Sequence, residues 1–216
     1  NTVTVYDDGR ILGAGYAGDN YALIRYLSNG NIDNTFSPIG GVVGQFTNAR
    51  DRIADLIVLD NGKIIFVGTN GDRPFICRYN DNGTIDTSFF FNGNNCPTLS
   101  KNEMAHELVA QSDGKYVVLA GNINEIAEEV HHIVLLRYNT DGTADESFGD
   151  EGVFTYSIPN AKVFVTSLAI DADGNFVVGA TVDEDFMVFR FTPALELDPT
   201  FSGDGSVRTN IDNIDS

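Results

Sequence analysis

The sequence predicts an all-β fold of the β-propeller type, built from four antiparallel four-stranded blades. The word R-[YF]-x6-D-x-[TS]-F occurs four times in the 216 residues, which indicates a chain assembled from equivalent units. Short runs rich in Val, Ile, Phe and Tyr alternate with turns rich in Gly, Asn and Asp, and no stretch shows a convincing helical period. Four short strands in a unit of about 50 residues are typical of a propeller blade.

Each unit is expected to contain its strands in the same order. The first strand precedes an Asp-Gly or Asn-Gly turn and is predicted at Val3–Tyr6, Leu56–Leu59, Leu108–Gln111 and Leu168–Asp171. The second strand follows that turn and is predicted at Ile11–Gly13, Ile64–Val67, Tyr116–Ala120 and Phe176–Val178. The third strand leads to the arginine of the word and the fourth comes after its phenylalanine, as in Ile133–Tyr138 and Val153–Tyr156. The turns supply the positive-φ residues that tight hairpins need.

The repeated word places one arginine, one aspartate and one phenylalanine in every unit. These residues are Arg25, Asp33 and Phe36; Arg78, Asp86 and Phe89; Arg137, Asp145 and Phe148; and Arg190, Asp198 and Phe201. A catalytic group is needed only once, so groups that recur in every unit are interpreted as structural. We expect each aspartate to accept backbone N–H bonds in the turn that follows it. Each arginine is expected to bind that carboxylate or backbone carbonyls.

The chain is expected to form one propeller domain over residues 1–216, with approximate repeats at 1–53, 54–105, 106–165 and 166–216. A single sheet of this kind cannot bury both faces, so neighbouring blades must stack, and most of the stability is expected from the contacts between them. Two arrangements stay open at this point: the four blades close a small ring, or they form an arc of a larger propeller. An arc exposes two blade faces, and we expect such faces to pair with another chain as a homo-oligomer.

The charge balance excludes several classes of function. Lys and Arg number 13 against 31 Asp and Glu, which gives a net charge of −18. Nucleic-acid binding needs a basic stripe that displaces counterions, and docking on anionic lipid needs a basic surface, so neither is expected. No apolar run approaches the roughly 20 residues of a membrane span, so membrane insertion is not expected either. An acidic surface favours solubility outside the cell and basic partners or divalent cations.

Two segments resemble the delta-60 repeat, a bacterial propeller-type repeat. They are DNGKIIFVG…FICRYNDNGTIDTSF at Asp60–Phe89 and SDGKYVVLAG…LLRYNTDGTADESFGDEGV at Ser112–Val153. The resemblance covers essentially the whole chain in four copies, although the fourth copy has Leu195 in place of a turn glycine and Asn175 in place of a lysine. It implies a β-propeller in a large secreted or surface bacterial protein, and it implies no chemistry.

Two places carry side chains that could ligate a cation. Asp171 and Asp173 offer oxygens at alternate positions of a turn, which suits calcium, although the spacing is not that of an EF-hand. Glu128, His131 and His132 belong to an insertion in the third unit and could ligate zinc or nickel. Adjacent residues on a strand point to opposite faces, and ordinary hairpin turns use the same acidic residues. We therefore interpret the first place as an ordinary turn and the second as an exposed acidic hairpin tip, in preference to metal sites. No cofactor is expected, and bound calcium is the alternative.

The second unit departs from the repeat after Phe89. Phe90 and Phe91 form either an apolar patch for a partner or a contact with the neighbouring blade, and the second interpretation is favoured. Cys77 lies in the aliphatic position before the arginine, so we interpret it as a small core residue. A Cys77–Cys96 disulfide is the alternative.

No nucleophile elbow, phosphate-binding loop or Cys-x-x-Cys is present, so no catalytic or cofactor-binding residue is assigned. The expected function is a non-enzymatic propeller module of an extracellular or cell-surface bacterial protein. Its loops would present a binding or adhesion site for a protein or glycan ligand. The alternatives are a carbohydrate-active hydrolase or lyase with acidic residues at the propeller channel, and a purely structural scaffold.

Overall fold

The computed structural model describes residues 1–45, 50–71, 73–89, 103–122 and 132–209. Across these residues the chain forms antiparallel β-sheets and one short 3-10 helix at Asn34–Phe36. This confirms the all-β prediction. Within the same residues, no helix has both the length and the apolar character needed to cross a membrane.

The strands are grouped in four sheets, and each sheet is formed by strands that are consecutive in sequence. Sheet 1 contains β1 (Thr2–Val5), β2 (Ile11–Ala17), β3 (Asn20–Tyr26) and β4 (Gly41–Gly44). Sheet 2 contains β5 (Asp51–Val58), β6 (Ile64–Asn70) and β7 (Arg73–Tyr79). Sheet 3 contains β8 (Glu103–Ala110), β9 (Tyr116–Asn122), β10 (His132–Tyr138) and β11 (Val153–Ser157). Sheet 4 contains β12 (Val163–Ile170), β13 (Phe176–Val182), β14 (Asp185–Phe191) and β15 (Ser206–Thr209).

Sheet 2 has three described strands where the repeat predicts four. The segment that would supply the fourth strand lies within residues 90–102, outside the described residues. The other three sheets have the four strands that the repeat predicts.

Equivalent residues pair in the same register in all four sheets. The repeat arginines face one position of the second strand in each sheet, in the pairs Arg25–Leu12, Arg78–Ile65, Arg137–Val117 and Arg190–Val177. A one-residue slip would move every side chain to the other face, so this shared register places equivalent residues on equivalent faces.

Three first strands begin five residues before the predicted start, namely β5 at Asp51, β8 at Glu103 and β12 at Val163. Two of them, β5 and β12, contain a register shift, between Ile53 and Asp55 in β5 and between Val165 and Ser167 in β12. A bulge inserts an extra residue and interrupts the simple alternation of apolar and polar positions, which is why the pattern hides the first half of these two strands.

The contacts within the chain define two compact units. The first consists of Asn1–Leu108 with Thr140–Thr143, and the second consists of Val109–Asn139 with Ala144–Ser216. The single domain predicted over residues 1–216 stays a prediction, as do its internal boundaries.

In the first unit, β5 packs against β1, β2 and β3, so sheet 2 covers one face of sheet 1. The centre of this joint is aromatic. The Phe66 ring lies 5.8 Å from the ring of Tyr21, 6.2 Å from that of Phe75 and 5.4 Å from that of Tyr79, measured between ring centroids. Leu12, Leu23, Phe36, Ile53 and Leu56 are buried in the same cluster.

The second unit repeats this arrangement, with β12 packed against β9 and β10. Phe148 meets Phe176 edge to face at 5.6 Å, and Val117, Leu119, Ile133, Leu135 and Leu168 are buried around them. In each unit, therefore, the first strand of one sheet packs on the middle strands of the sheet before it.

Candidate functional site

Each repeat aspartate holds the turn that follows the third strand. Asp33 accepts at Oδ1 from the Thr35 backbone N–H at 2.9 Å and from the Thr35 hydroxyl at 2.6 Å. Asp145 does the same with Ser147, at 3.2 Å and 2.7 Å. The equivalent bonds link Asp86 to Ser88 and Asp198 to Thr200. One oxygen of every repeat carboxylate is thus used by its own turn.

The second oxygen of each carboxylate faces the repeat arginine. The distances from arginine Nε to aspartate Oδ2 are 2.7, 2.6, 2.6 and 2.8 Å along the chain. Each guanidinium also lies over the ring of the repeat phenylalanine, 4.4 to 4.8 Å from its centroid. Both oxygens are therefore committed to the fold, an arrangement that stabilises the repeat and leaves little capacity to act on a substrate.

The second and third repeats add a lysine to this network. Lys63 Nζ donates to Asp86 and Lys115 Nζ donates to Asp145, both at 2.7 Å. Burial by itself would raise the pKa of these two carboxyls, but the hydrogen bonds from the lysine, the serine and the arginine outweigh it. The pKa of Asp86 and of Asp145 consequently lies well below the usual range.

The first repeat departs from this arrangement, because Arg10 occupies the lysine position. Arg10 Nε donates to Asp8 at 2.7 Å, and its Nη1 donates to Asp81 at 3.3 Å. The Arg10 guanidinium lies 4.5 Å from the centroid of the Tyr6 ring. Arg25 also donates to Asp81, both to its carboxylate and to its backbone carbonyl. These five residues (Tyr6, Asp8, Arg10, Arg25 and Asp81) are called the junction cluster below.

A cavity of about 350 Å³ opens beside the junction cluster. It is lined by the ends of β1 and β5 and by the turns that follow them, with Thr4, Val5, Tyr6, Asp7, Asp8, Arg10, Val58, Leu59, Asp60 and Gly62. Three of these residues are carboxylates, and the one guanidinium among them is already paired with Asp8. The cavity is therefore acidic.

Two groups at the cavity have shifted pKa values. Burial raises the pKa of the Tyr6 hydroxyl, and the nearby charge of Arg25 offsets only part of the effect. The backbone N–H of Arg10 is the main cause that lowers the pKa of Asp8. Asp8 therefore stays ionised and Tyr6 stays neutral at neutral pH, which suits the binding of a cation better than proton transfer.

The metal candidates from the sequence are only partly described. Asp171 accepts from the backbone N–H of Asp173 and of Asn175 and from the Asn175 side chain, and these bonds, with Asn175 the main cause, lower the pKa of Asp171. His132 lies in β10, whereas Glu128 and His131 fall outside the described residues. Within the described ranges, no three His, Cys, Asp or Glu side chains are grouped as a metal site. The calcium and zinc alternatives stay predictions.

The apolar and cysteine candidates belong to the second repeat, and part of them lies outside the described residues. Phe89 is fully buried, and Phe90 and Phe91 lie outside the described residues, so the predicted partner patch stays a prediction. Cys77 is also fully buried, and it is disulfide-bonded. The only other cysteine in the sequence, Cys96, falls outside the described residues.

Sequence reasoning missed the junction cluster, although a signal was present. Tyr6 stands where the other repeats have Leu59, Gln111 and Asp171, and Asp81 stands where the third repeat has Thr140. Comparison of the units position by position would have identified these departures, but it could not have shown that they meet at one place.

Comparison with known proteins supports the repeat assignment. Residues 7–36, 59–89 and 111–148 match the family described as Domain of unknown function (DUF5122) beta-propeller. The search of curated proteins found no significant sequence match.

Several solved structures share the fold. Virginiamycin B lyase from Staphylococcus aureus is similar with a TM-score of 0.53 and 14% identity over 97% of this chain and 54% of that one. A streptogramin B lyase is similar with a TM-score of 0.55 and 16% identity over 91% and 52%. A protein from Lactobacillus plantarum is similar with a TM-score of 0.53 and 14% identity over 91% and 55%. The chain thus spans about half the length of these structures, and at such identities the likeness shows the fold alone.

The three matched segments each contain one copy of the repeated word, and they fall in the repeats that form sheets 1, 2 and 3. The four sheets share one register, and the solved structures share their fold. Three of the four repeats therefore match the DUF5122 beta-propeller family model, and the sheets have a fold of the β-propeller type, in agreement with the resemblance to the delta-60 repeat.

Proposed function

We propose that this chain is a non-enzymatic propeller module of a secreted or surface protein and that it binds a basic segment of a partner protein in the cavity beside the junction cluster. The observation that carries the proposal is the position of Tyr6, Arg10 and Asp81. These three residues differ from their equivalents in the other repeats, and they gather beside one acidic cavity.

The charges around the cavity favour a cationic ligand. Asp7 and Asp60 are exposed on its lining, whereas Asp8 is neutralised by Arg10. A lysine or arginine side chain entering the cavity would meet two carboxylates that have solvent access. The net charge of −18 would steer a basic partner towards the whole surface and raise the rate of association.

Binding is favoured over hydrolysis by the state of the carboxyls. A glycosidase needs one carboxylic acid whose pKa is raised so that it can donate a proton. At the cavity, the pKa of Asp8 is lowered, and the repeat carboxylates Asp86 and Asp145 are lowered as well. The lyase activity named for two of the similar structures is not carried over to this chain, because the likeness is one of fold.

An extracellular location is supported by Cys77 and by the family resemblance. Disulfides persist in oxidising compartments and are rare in the cytosol, and Cys77 is disulfide-bonded. The strongly acidic composition agrees with this environment.

The test is calorimetric titration of the chain with hexalysine. The double variant Asp7→Asn with Asp60→Asn is expected to bind about tenfold more weakly, a loss of about 1.4 kcal/mol. The matched control is Asp113→Asn with Asp141→Asn, which removes the same two charges from turns of the third repeat. The control is expected to bind within about twofold of the original chain.

Equal weakening of both variants would contradict the cavity as the binding site, because it would mean that only the overall charge attracts the peptide. Binding of a neutral oligosaccharide that persists in the Asp7 and Asp60 variant, with no hexalysine binding in the original chain, would contradict the choice of ligand.

A further inference from the structure

Among the described residues that line the cavity beside the junction cluster, Arg10 is the only cation. The equivalent lysines of the second and third repeats each donate to the aspartate of their own repeat, at 2.7 Å. In the described part of the chain, the hydrogen bonds of the Arg10 side chain go to Asp8 and Asp81 instead of Asp33. The contacts of Arg10 are therefore not the ones that the repeat uses at this position.

The Arg10 guanidinium has the contacts that a bound arginine ligand would make. Its Nε donates to Asp8 at 2.7 Å, its Nη1 donates to Asp81 at 3.3 Å, and the group lies 4.5 Å from the centroid of the Tyr6 ring. Carboxylate oxygens and an aromatic face are the groups with which proteins recognise a guanidinium. One wall of the cavity is therefore a guanidinium site that a residue of the chain itself fills.

The groups that hold this guanidinium are positioned by other contacts. Asp8 also accepts from the backbone N–H of residue 10 at 3.0 Å, a bond that any residue except proline would keep. Asp81 is held by Arg25, which donates to its carboxylate and to its backbone carbonyl. Tyr6 is buried in the apolar cluster between sheets 1 and 2. Removal of the Arg10 side chain would therefore leave the site in place.

The ion pairs of Arg10 can be exchanged for those of a ligand at little cost. The side chains of Asp8 and Asp81 are 54% and 47% exposed, so water competes for both carboxylates. Ion pairs in such positions contribute little to stability. The neighbouring pair of Arg25 and Asp33 is buried and would be costly to break. Of the two arginines of the junction cluster, Arg10 is thus the one that a ligand can displace.

We propose that Arg10 is an internal substitute for the ligand and that this cavity selects arginine over lysine in the basic segment that it binds. A ligand side chain reaches Asp7 and Asp60 directly, but it reaches Asp8 and Tyr6 only by displacing Arg10. A guanidinium can bind the carboxylate and lie on the ring at the same time, whereas an ammonium lacks the planar fork. The inference rests on the proposed function, since it names the ligand chemistry and the regulation of that same site.

The test is calorimetric titration of the variant Arg10→Gln with hexaarginine and with hexalysine. Glutamine removes the guanidinium and keeps the backbone N–H that binds Asp8. The variant is expected to bind hexaarginine about tenfold more tightly than the original chain does, because the peptide no longer competes with Arg10. Hexalysine is expected to gain only about threefold, because an ammonium profits from the removed charge but not from the ring and the fork.

The matched control is Arg208→Gln. Arg208 makes the same kind of bond, from Nε to the carboxylate of Asp185 at 2.6 Å, and it lies in the fourth repeat. The control changes the net charge by the same amount, so its affinity for either peptide is expected to stay within about twofold of the original. An equal gain in the control would overturn the inference, because it would mean that the overall charge alone sets the affinity.

Thermal melting shows whether each variant is folded. If Arg10→Gln does not fold, Arg10→Lys replaces it, because lysine holds this position in two other repeats. This second variant is expected to bind hexaarginine about threefold more tightly than the original chain, since an ammonium covers the site less completely than a guanidinium does.

Two outcomes separate this inference from the proposed function. Unchanged or weaker hexaarginine binding by the folded variant, or an equal gain for both peptides, would overturn the inference and leave the basic ligand standing. Absence of binding of either peptide, by the original chain and by the variant alike, would overturn the proposed function and the inference with it.

Discussion

The guanidinium of a repeat arginine is shared between two sheets. Arg25 donates from Nε to Asp33 in its own repeat and from Nη1 to the backbone carbonyl of Asp81 in the next. Arg78 likewise donates from Nε to Asp86 and from Nη1 to the carbonyl of Thr140. The planar fork of arginine makes both contacts at once, whereas a lysine has no such geometry.

Acid is expected to destabilise the chain through the repeat aspartates. The pKa of Asp145 is lower in the folded state than the value of about 3.9 of an unfolded chain, so its ionised form stabilises the fold above that value. This contribution is lost as the pH falls below about 4 towards the folded-state pKa. In urea unfolding, Asp145→Asn is expected to lose about 2 kcal/mol at pH 7 and to show a shallower decline between pH 5 and pH 3.

Asp198→Asn is the matched control for Asp145→Asn. Asp198 has the same arginine and hydroxyl contacts, but the fourth repeat has Asn175 where the third has Lys115, so the control loses no lysine bond. It is expected to lose less stability at pH 7. Equal losses in the two variants would show that the lysine does not contribute, and unchanged melting of Asp145→Asn would remove the structural interpretation of the word.

At the scale of single residues, the sequence predicts the contacts that recur in every repeat. It does not predict the contacts that occur in one repeat only. A constant spacing of eight residues places every arginine opposite its aspartate, because both lie on neighbouring segments of the same sheet. The contact between Arg10 and Asp81 joins residues 71 positions apart, and no local pattern encodes it.

Among the elements, the turn before the repeat aspartate matters most for the joint between repeats. Gly83 has a φ of +76° and Gly30 a φ of +83°, so both lie in the left-handed region. Of these two glycines, Gly83 seats against the preceding repeat, at the carbonyl oxygen of Phe36, whereas Gly30 has no neighbour within 4 Å of an added Cβ. The fourth repeat adopts the same conformation with Leu195, at a φ of +66°.

Alanine at these two glycines separates backbone strain from steric contact. Gly30→Ala is expected to cost about 1 kcal/mol of stability, because alanine is strained at a positive φ, and no more than that, because its Cβ enters open space. Gly83→Ala is expected to cost about 2 kcal/mol more, because its Cβ also displaces the Phe36 carbonyl. Urea unfolding of the two variants measures the difference. Equal costs would mean that the turn of the second repeat does not seat on the first.

The order and type of the strands could be predicted, because Asp-Gly and Asn-Gly turns separate short apolar runs in every repeat. The early starts of β5 and β12 could not, since the bulges near Ile53 and Val165 break the alternation on which the prediction depends. The sequence predicts that neighbouring repeats pack against each other. It does not predict that the contact between sheets 1 and 2 is centred on the aromatic ring of Phe66.

For the whole molecule, the state of Cys77 is the property that separates an oxidising from a reducing environment. Thiol titration of the denatured, unreduced chain is expected to find no free thiol, and peptide mapping is expected to link Cys77 to Cys96, the only other cysteine of the chain. Reduction is expected to lower stability by about 2–4 kcal/mol. Two titratable thiols in unreduced protein would contradict the bonded state and with it the support for secretion.

The repeat does not reveal how many blades the complete propeller contains. Every repeat carries the same word whatever the number of blades, because the residues of the word make contacts within their own repeat and with the next one.

The double attachment of the arginines also bears on how such a chain would withstand tension. Pulling sheet 1 away from sheet 2 ruptures the bonds from Arg25 to Asp81 and withdraws the Tyr21 and Phe36 side chains from their apolar surroundings in the same event. A hairpin inside one sheet can instead unzip one backbone pair after another. The boundary between sheets 1 and 2, rather than the sheets themselves, would then be the point at which a stretched chain resists most.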